Sequence, residues 1–547
     1  MGIYIYLTIS KSVTKEEWEN VYEETLEAVN ILPLAERMRV SIRGIPTICL
    51  VKTKEQKTTY GWNDENTTIG WNTNGDYNTM REAEDYYLAR NLVKENEIKP
   101  EAGDAMLNII PEYLNYDWKE ARFSNVYHLW GNKTQGEPYH MYLLMIACLI
   151  EERLGEKAFV SGDITRGQCQ QAVEIINQYI EHPIRIPARC DMERLFQRIE
   201  KLSLCEEERL ELFVGVYLGE KDKYFGQFIN KMFSEEVCDE YWRKIFKDNE
   251  IETYGFTNRL KQYLSWGFDL EKLCSFIDFG NEDETMQCKN FIECIMDTKI
   301  HIKNKNCIDR LHIDQERTTP YGVETLFMQF MFRGARNKKV DRYIPIEEVK
   351  DALCNGLQGK CDVITVINEY LKRESEQQKI HIEKENMTDE QWKSDCEQDA
   401  SEVFNQVMDI KEKQLQEENK KYDVIHYEDL IGYEHGDTIS QNLKKSLMEF
   451  YIFYHSALEE ERYLELMKDS AHRRCEWLVE QNRYLLLRDK DWEKIFIDIE
   501  ENIESFSRYY PMVRVQLKTQ NHIHTVRGIV LNDDLYELCK QEKSLYE

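Results

Sequence analysis

Asp163, Thr165 and Arg166 bring a carboxylate, a hydroxyl and a guanidinium within four residues. They lie in the loop Gly162-Asp163-Ile164-Thr165-Arg166-Gly167. Just upstream, the segment Phe123 to His140 holds Tyr127, His128, Trp130 and His140, the residue types of a pocket wall with polar tips. Proton chemistry would fall to Asp163 with His128 or His140, and Thr165 and Arg166 would hold a ligand. The plain alternative makes Asp163 and Thr165 helix caps and the aromatics core. The loop lacks the Gly-Lys-Ser/Thr ending of a phosphate-binding loop, and Asp163 has the wrong charge for phosphate.

Other groupings are thinner. His522 and His524 stand two apart, which on a strand puts both on one side, with Asp533, Asp534 and Cys539 following. Asp309, His312 and Asp314 form a similar cluster. Neither has a third ligand at a diagnostic spacing, so no metal and no cofactor is expected. No Gly-x-Ser-x-Gly elbow is present, and Cys169 falls on the buried face of its helix, which makes it inert. Arg333, Arg336, Lys338, Lys339 and Arg342 are the one basic cluster. They could bind a nucleotide or nucleic acid, or neutralise the chain's own acidic surface.

The elements that must position these residues read mainly as helices. Met141 to Ile150 is an unbroken apolar run, long enough for a helix buried on every side and too short to span a membrane. Gly155 stands at its C-cap. Thr165 and Gln168 open the next helix as a capping box, with Cys169, Ala172, Val173, Ile176, Tyr179 and Ile180 on its apolar face. Thr14 with Glu17 and Ser203 with Glu206 are two further boxes. Leu443, Leu447, Phe450, Tyr454 and Ala457 step by three and four.

Strands are expected at Ile3 to Ile9 and Ile45 to Val51, and a terminal hairpin from Val513 to Leu517 and Ile523 to Leu531. Gly61-Trp62-Asn63 recurs as Gly70-Trp71-Asn72, so Trp62 and Trp71 either clamp a planar ligand or close over a sheet as core. Residues 73–138 read as irregular. The fold class is therefore mainly α, with a small α+β N-terminal unit and a C-terminal β-hairpin. Four regions follow: 1–138 as that unit, 139–370 as a helical core domain, 371–425 as a charged helical linker, and 426–547 as a helical domain ending in the hairpin. The linker rests on 8 basic and 14 acidic residues between Leu371 and Lys420, with no Gly or Pro.

Composition limits function. A net charge of −30 over 547 residues repels phosphate backbones, which makes nucleic acid an improbable partner. Fifteen scattered Cys without a Cys-x-x-Cys indicate reduced thiols. The first residues carry no basic stretch of a signal peptide, so a cytoplasmic, AT-rich bacterial protein with no membrane association is expected. The missing catalytic motifs and exposed charged helices suggest an interaction or scaffold protein whose partner is another protein. The alternatives are an enzyme with its polar site at Asp163 and the 123–140 segment, or a binder working through Arg333 to Arg342.

Overall fold

A computed structural model describes residues 2–59, 67–109, 125–280, 284–303, 340, 342–384, 430, 432–438, 441–483, 485–514 and 520–540. Two antiparallel sheets lie in the first 162 residues, and helices make up the described remainder.

The first sheet has β1 (Ile5–Ser10) at its centre, with β7 (Val126–Trp130) and β8 (Ala158–Gly162) on either side. Ile5, Leu7 and Ile9 are fully buried on its inner face. Helix α1 (Lys15–Ile31) follows β1 and begins with the Thr14–Glu17 capping box. Helix α2 (Tyr139–Leu154) packs against it, and Leu143 to Ile150 are buried at every position, as a helix apolar all round requires. Gly155 ends α2 at φ 58°. Helix α3 (Arg166–Ile176) then opens on the Thr165–Gln168 box and ends short of the expected face, leaving Tyr179 beyond it and exposed.

The second sheet comprises β2 (Leu34–Ile42), β3 (Ile45–Lys52), β4 (Gln56–Thr59), β5 (Thr67–Asp76) and β6 (Glu82–Ala89). Its order is β3-β2-β5-β4, with β6 also paired to β5. The stretch expected to be irregular thus contributes parts of β5, all of β6 and β7. Trp71 is fully buried on β5, donates its indole N–H to Thr25 Oγ1 (3.2 Å) and meets Trp130 edge-on. It is core; Trp62 lies outside the described residues.

A run of helices follows: α4 (Met192–Glu200), α5 (Glu206–Val216), α6 (Lys223–Met232), α7 (Glu235–Lys247), α8 (Tyr254–Ser265), α9 (Glu284–Asp297), α10 (Ile346–Leu357) and α11 (Val363–Lys384). They enclose one core with Phe213, Phe225, Trp242 and Trp266 at its centre. The start of α5 lies two residues beyond the expected Ser203 box. Glu206 is taken by Ser234, whose N–H it accepts at 2.6 Å, and Glu208 caps Cys205 N–H instead.

The C-terminal part is α12 (Gln441–Leu458), α13 (Glu461–Leu466), α14 (Ala471–Gln481), α15 (Asp489–Glu501), α16 (Gln520–Leu531) and α17 (Asp533–Lys540). The expected C-terminal β-hairpin is overturned: Ile523 to Leu531 is helical, Tyr510–Val513 is a 3-10 turn, and every described strand ends by Gly162. Val526, Ile529 and Val530, spaced by three and one, are buried against the surrounding helices. Gly528 marks the close approach, since a Cβ there would lie 2.9 Å from Leu430 Cβ. These helices share a core with β2 and β3 through Ala35, Ile45, Cys49 and Leu50. Leu50 N–H donates to the Leu487 carbonyl (3.0 Å), and Arg527 donates to the Met80 carbonyl (3.3 Å). The early sheet and the last helices therefore meet.

Candidate functional site

Strand register places the predicted residues. Tyr4, Tyr6 and Thr8 alternate onto the outer face of the first sheet. Thr8 lies opposite His128 on β7, and Tyr6 opposite Ser161 on β8. Asp163 continues that register: its N–H donates to the Tyr4 carbonyl, and its Oδ2 accepts the Tyr4 N–H, both at 2.9 Å. Asp163 and His128 thus flank the same face, at opposite corners. Four residues along β1 and two strand spacings put them roughly 15 Å apart. Between them the Tyr4 and Tyr6 rings stack at 5.6 Å and 5°, and Tyr6 is 40% exposed.

His140 is elsewhere. It is buried in the first turn of α2, where Nδ1 shares a hydrogen bond with Thr134 Oγ1 (2.7 Å). Thr134 N–H in turn donates to the Ile3 carbonyl (2.8 Å). His140 Nε2 is buried without a hydrogen-bond partner, and burial pushes the imidazole pKa down to about 4. Asp163 and the Thr134–His140 pair therefore tie down adjacent residues at the start of β1. Thr165 serves as the α3 cap, and Arg166 Nε donates to the Cys190 carbonyl (3.3 Å). Arg333 and Arg336 lie outside the described residues, as do Asp309, His312 and Asp314. Arg342 is internal: its guanidinium donates to the Phe268 carbonyl (2.7 Å) and to Leu264. His524 is buried on α16 rather than lying on a strand, and a helix turns residues two apart onto different faces. Among the described residues, no group of His, Cys, Asp and Glu could hold a metal ion.

A buried ionic network lies behind Asp163, on residues that sequence reasoning passed over. Arg198 of α4 makes two bonds to Asp104 (2.6 and 2.7 Å) and donates to the Glu156 and Ala158 carbonyls. Glu151 of α2 accepts the N–H groups of Val160 and Ala188, both at 2.8 Å. Arg189 reaches the Val160 carbonyl (3.5 Å). Together these side chains satisfy the outer edge of β8, which would otherwise be open for pairing. Burial holds the Glu151 carboxyl above its ordinary pKa, against the pull of Arg198. The Arg198 guanidinium is disfavoured by burial, yet Asp104 outweighs this and raises its pKa. The available signal was position: Glu151 directly follows the all-apolar run inside a buried helix.

The cysteine pattern is one of thiols. Thirteen described cysteines are in no disulfide, and Cys169 lies within hydrogen-bonding reach of both Cys148 and Cys190. No helix among the described residues is long and apolar enough to cross a membrane. Compared with protein families, curated proteins and solved structures, the chain matches none.

Proposed function

We propose that this chain works in the cytoplasm by binding another protein through its helical middle part. The observation that carries the reading is a set of large apolar side chains left open on that part. Tyr224 and Tyr254, in the first turns of α6 and α8, are 59% and 58% exposed, and Tyr179, Met286 and Ile364 are also more than half exposed. Tyrosine is among the residues that dominate protein interfaces. The free thiols support a reducing compartment. Replacing both tyrosines, Tyr224→Ala with Tyr254→Ala, is expected to weaken capture of the partner at least roughly thirtyfold. Folding stability should move by less than about 0.5 kcal/mol, because both positions are surface. Pull-down from native lysate with titrated bait reads the first, and chemical denaturation the second. Unchanged capture would remove the reading.

A second reading has its own observation, the stacked Tyr4 and Tyr6 rings on the outer sheet face beside Asp163. Stacked rings beside an acid suit a planar polar ligand. Asp163→Asn keeps an oxygen to accept the Tyr4 N–H and so should preserve the fold. Under this reading, a co-purifying small molecule seen by native mass spectrometry is lost in that variant while the melting temperature holds. Retention of the molecule, or a loss that follows melting temperature, would leave Asp163 with its structural role alone.

A further inference from the structure

Cys361 and Cys288 meet where the turn between α10 and α11 packs on α9. Gln358 and Gly359, at φ 47° and 81°, end α10 and turn the chain back, and Lys360 N–H donates to the Leu357 carbonyl (3.0 Å). Asp362 then caps α11 by accepting the Thr365 N–H (3.1 Å). The turn is fixed against the start of α9. Lys360 Nζ pairs with Glu284 Oε1 (3.0 Å) and lies 4.9 Å from the centre of the Phe279 ring. Glu284 and Cys288 stand one helical turn apart in α9 and share a face. The ion pair therefore brings the next residue of the turn, Cys361, onto Cys288, and the two thiols lie within hydrogen-bonding reach.

The two thiols differ in setting. Cys288 is fully buried in the core of the helical part, where a small apolar side chain accounts for it. Cys361 is partly exposed on a turn, where packing accounts for less. The cluster of Cys148, Cys169 and Cys190 is buried throughout, and Cys205 and Cys354 are exposed. Cys361 with Cys288 joins a thiol open to solvent with one closed off from it, the arrangement of an attacking and a resolving cysteine. Burial pushes the Cys288 thiol up to about 11, which removes it as the attacking group. Burial raises the Cys361 thiol too, so the reaction is slow and calls for oxidant in excess.

We propose that Cys361 is a site of oxidation by hydrogen peroxide, resolved by Cys288 to an intrachain disulfide. The Cys361 sulfur attacks one peroxide oxygen, the O–O bond breaks, and water leaves with the thiol proton, so that Cys361 becomes a sulfenic acid. The Cys288 sulfur then attacks the Cys361 sulfur, the S–O bond breaks, and a second water leaves. In all, two thiols lose two electrons and two protons, and one peroxide is reduced to two waters. Hydrogen peroxide fits better than a glutathione-type disulfide because it is small and neutral, whereas Glu284, Asp362 and a net charge of −30 repel an anion. The new bond ties α9 to the start of α11, the elements that carry the exposed Met286 and Ile364. The oxidation itself does not rest on partner binding.

The test treats the full-length protein with excess hydrogen peroxide at pH 7.5, alkylates it under denaturing conditions and digests it without reduction. Peptide mass spectrometry is expected to find Cys288 and Cys361 joined, with Cys148, Cys169 and Cys190 recovered as alkylated thiols. Cys361→Ser should leave Cys288 as a thiol. In Cys288→Ser the sulfenic acid meets no thiol, so dimedone labelling of Cys361 should rise at least roughly fivefold over the native protein. Three results in the native protein, which need no variant to fold, would each overturn the proposal. They are Cys361 joined to Cys354 or to a second chain, Cys361 carried to a sulfinic acid beside an intact Cys288, and both recovered as thiols after the exposed Cys205 has been oxidised.

Discussion

Arg198→Met is expected to destabilise the protein by about 3–5 kcal/mol, the cost of breaking a buried ion pair from one side. The Arg198 side chain is 6% exposed and Asp104 9%, so water cannot replace the lost partner. The substitution strands Asp104, removes the nearest cation from Glu151 at 3.9 Å, and frees the carbonyls of Glu156 and Ala158. Methionine fills similar volume, so the loss reports charge and hydrogen bonds rather than a cavity. Urea denaturation measures it through the midpoint at constant slope. A change under about 1 kcal/mol would mean that the network is solvated and that the edge of β8 does not depend on it.

The second large effect is acid sensitivity from His140. Its folded pKa, about 4, is below the ordinary 6.5, so the unfolded chain takes up the proton first as pH falls. Stability from this group is fully present above pH 6.5 and is lost as pH drops toward 4. Linkage gives about 2 kcal/mol between pH 7 and 4.5. His140→Gln retains a partner for Thr134 and cannot titrate. The stability difference between the native protein and this variant should therefore shrink or reverse by that amount across the window. A difference independent of pH would show that His140 is already charged or exposed in the folded protein.

Local chemistry was legible where a few neighbouring residues decide it. Thr14 with Glu17 and Thr165 with Gln168 cap their helices as their spacing predicts, and Leu443, Leu447, Phe450, Tyr454 and Ala457 are buried along one face of α12. Two kinds of feature were not. In β5, Thr67–Asp76, Asn and Gly read as turn residues, yet Gly70 is there because the Leu88 carbonyl would lie 2.3 Å from a Cβ. Glycine signals close approach as well as turning, and sequence does not separate the two. In α16, Ile523 to Leu531 fits a strand or a helix, and only burial against distant residues such as Leu430 decides. The candidate face has the same origin. Asp163 meets Tyr4, and His128 meets Thr8, through pairing across β1, between segments more than a hundred residues apart. The ionic network was visible only as Glu151 directly after an apolar run in a buried helix.

Native mass spectrometry of the full-length chain, released gently from its own cells at low salt, tests the functional reading most directly. Binding through the helical part predicts a stoichiometric protein partner that is lost from the Tyr224→Ala, Tyr254→Ala variant and kept by Asp163→Asn. A chain carrying only a small molecule, lost from Asp163→Asn and kept by the tyrosine variant, would contradict it.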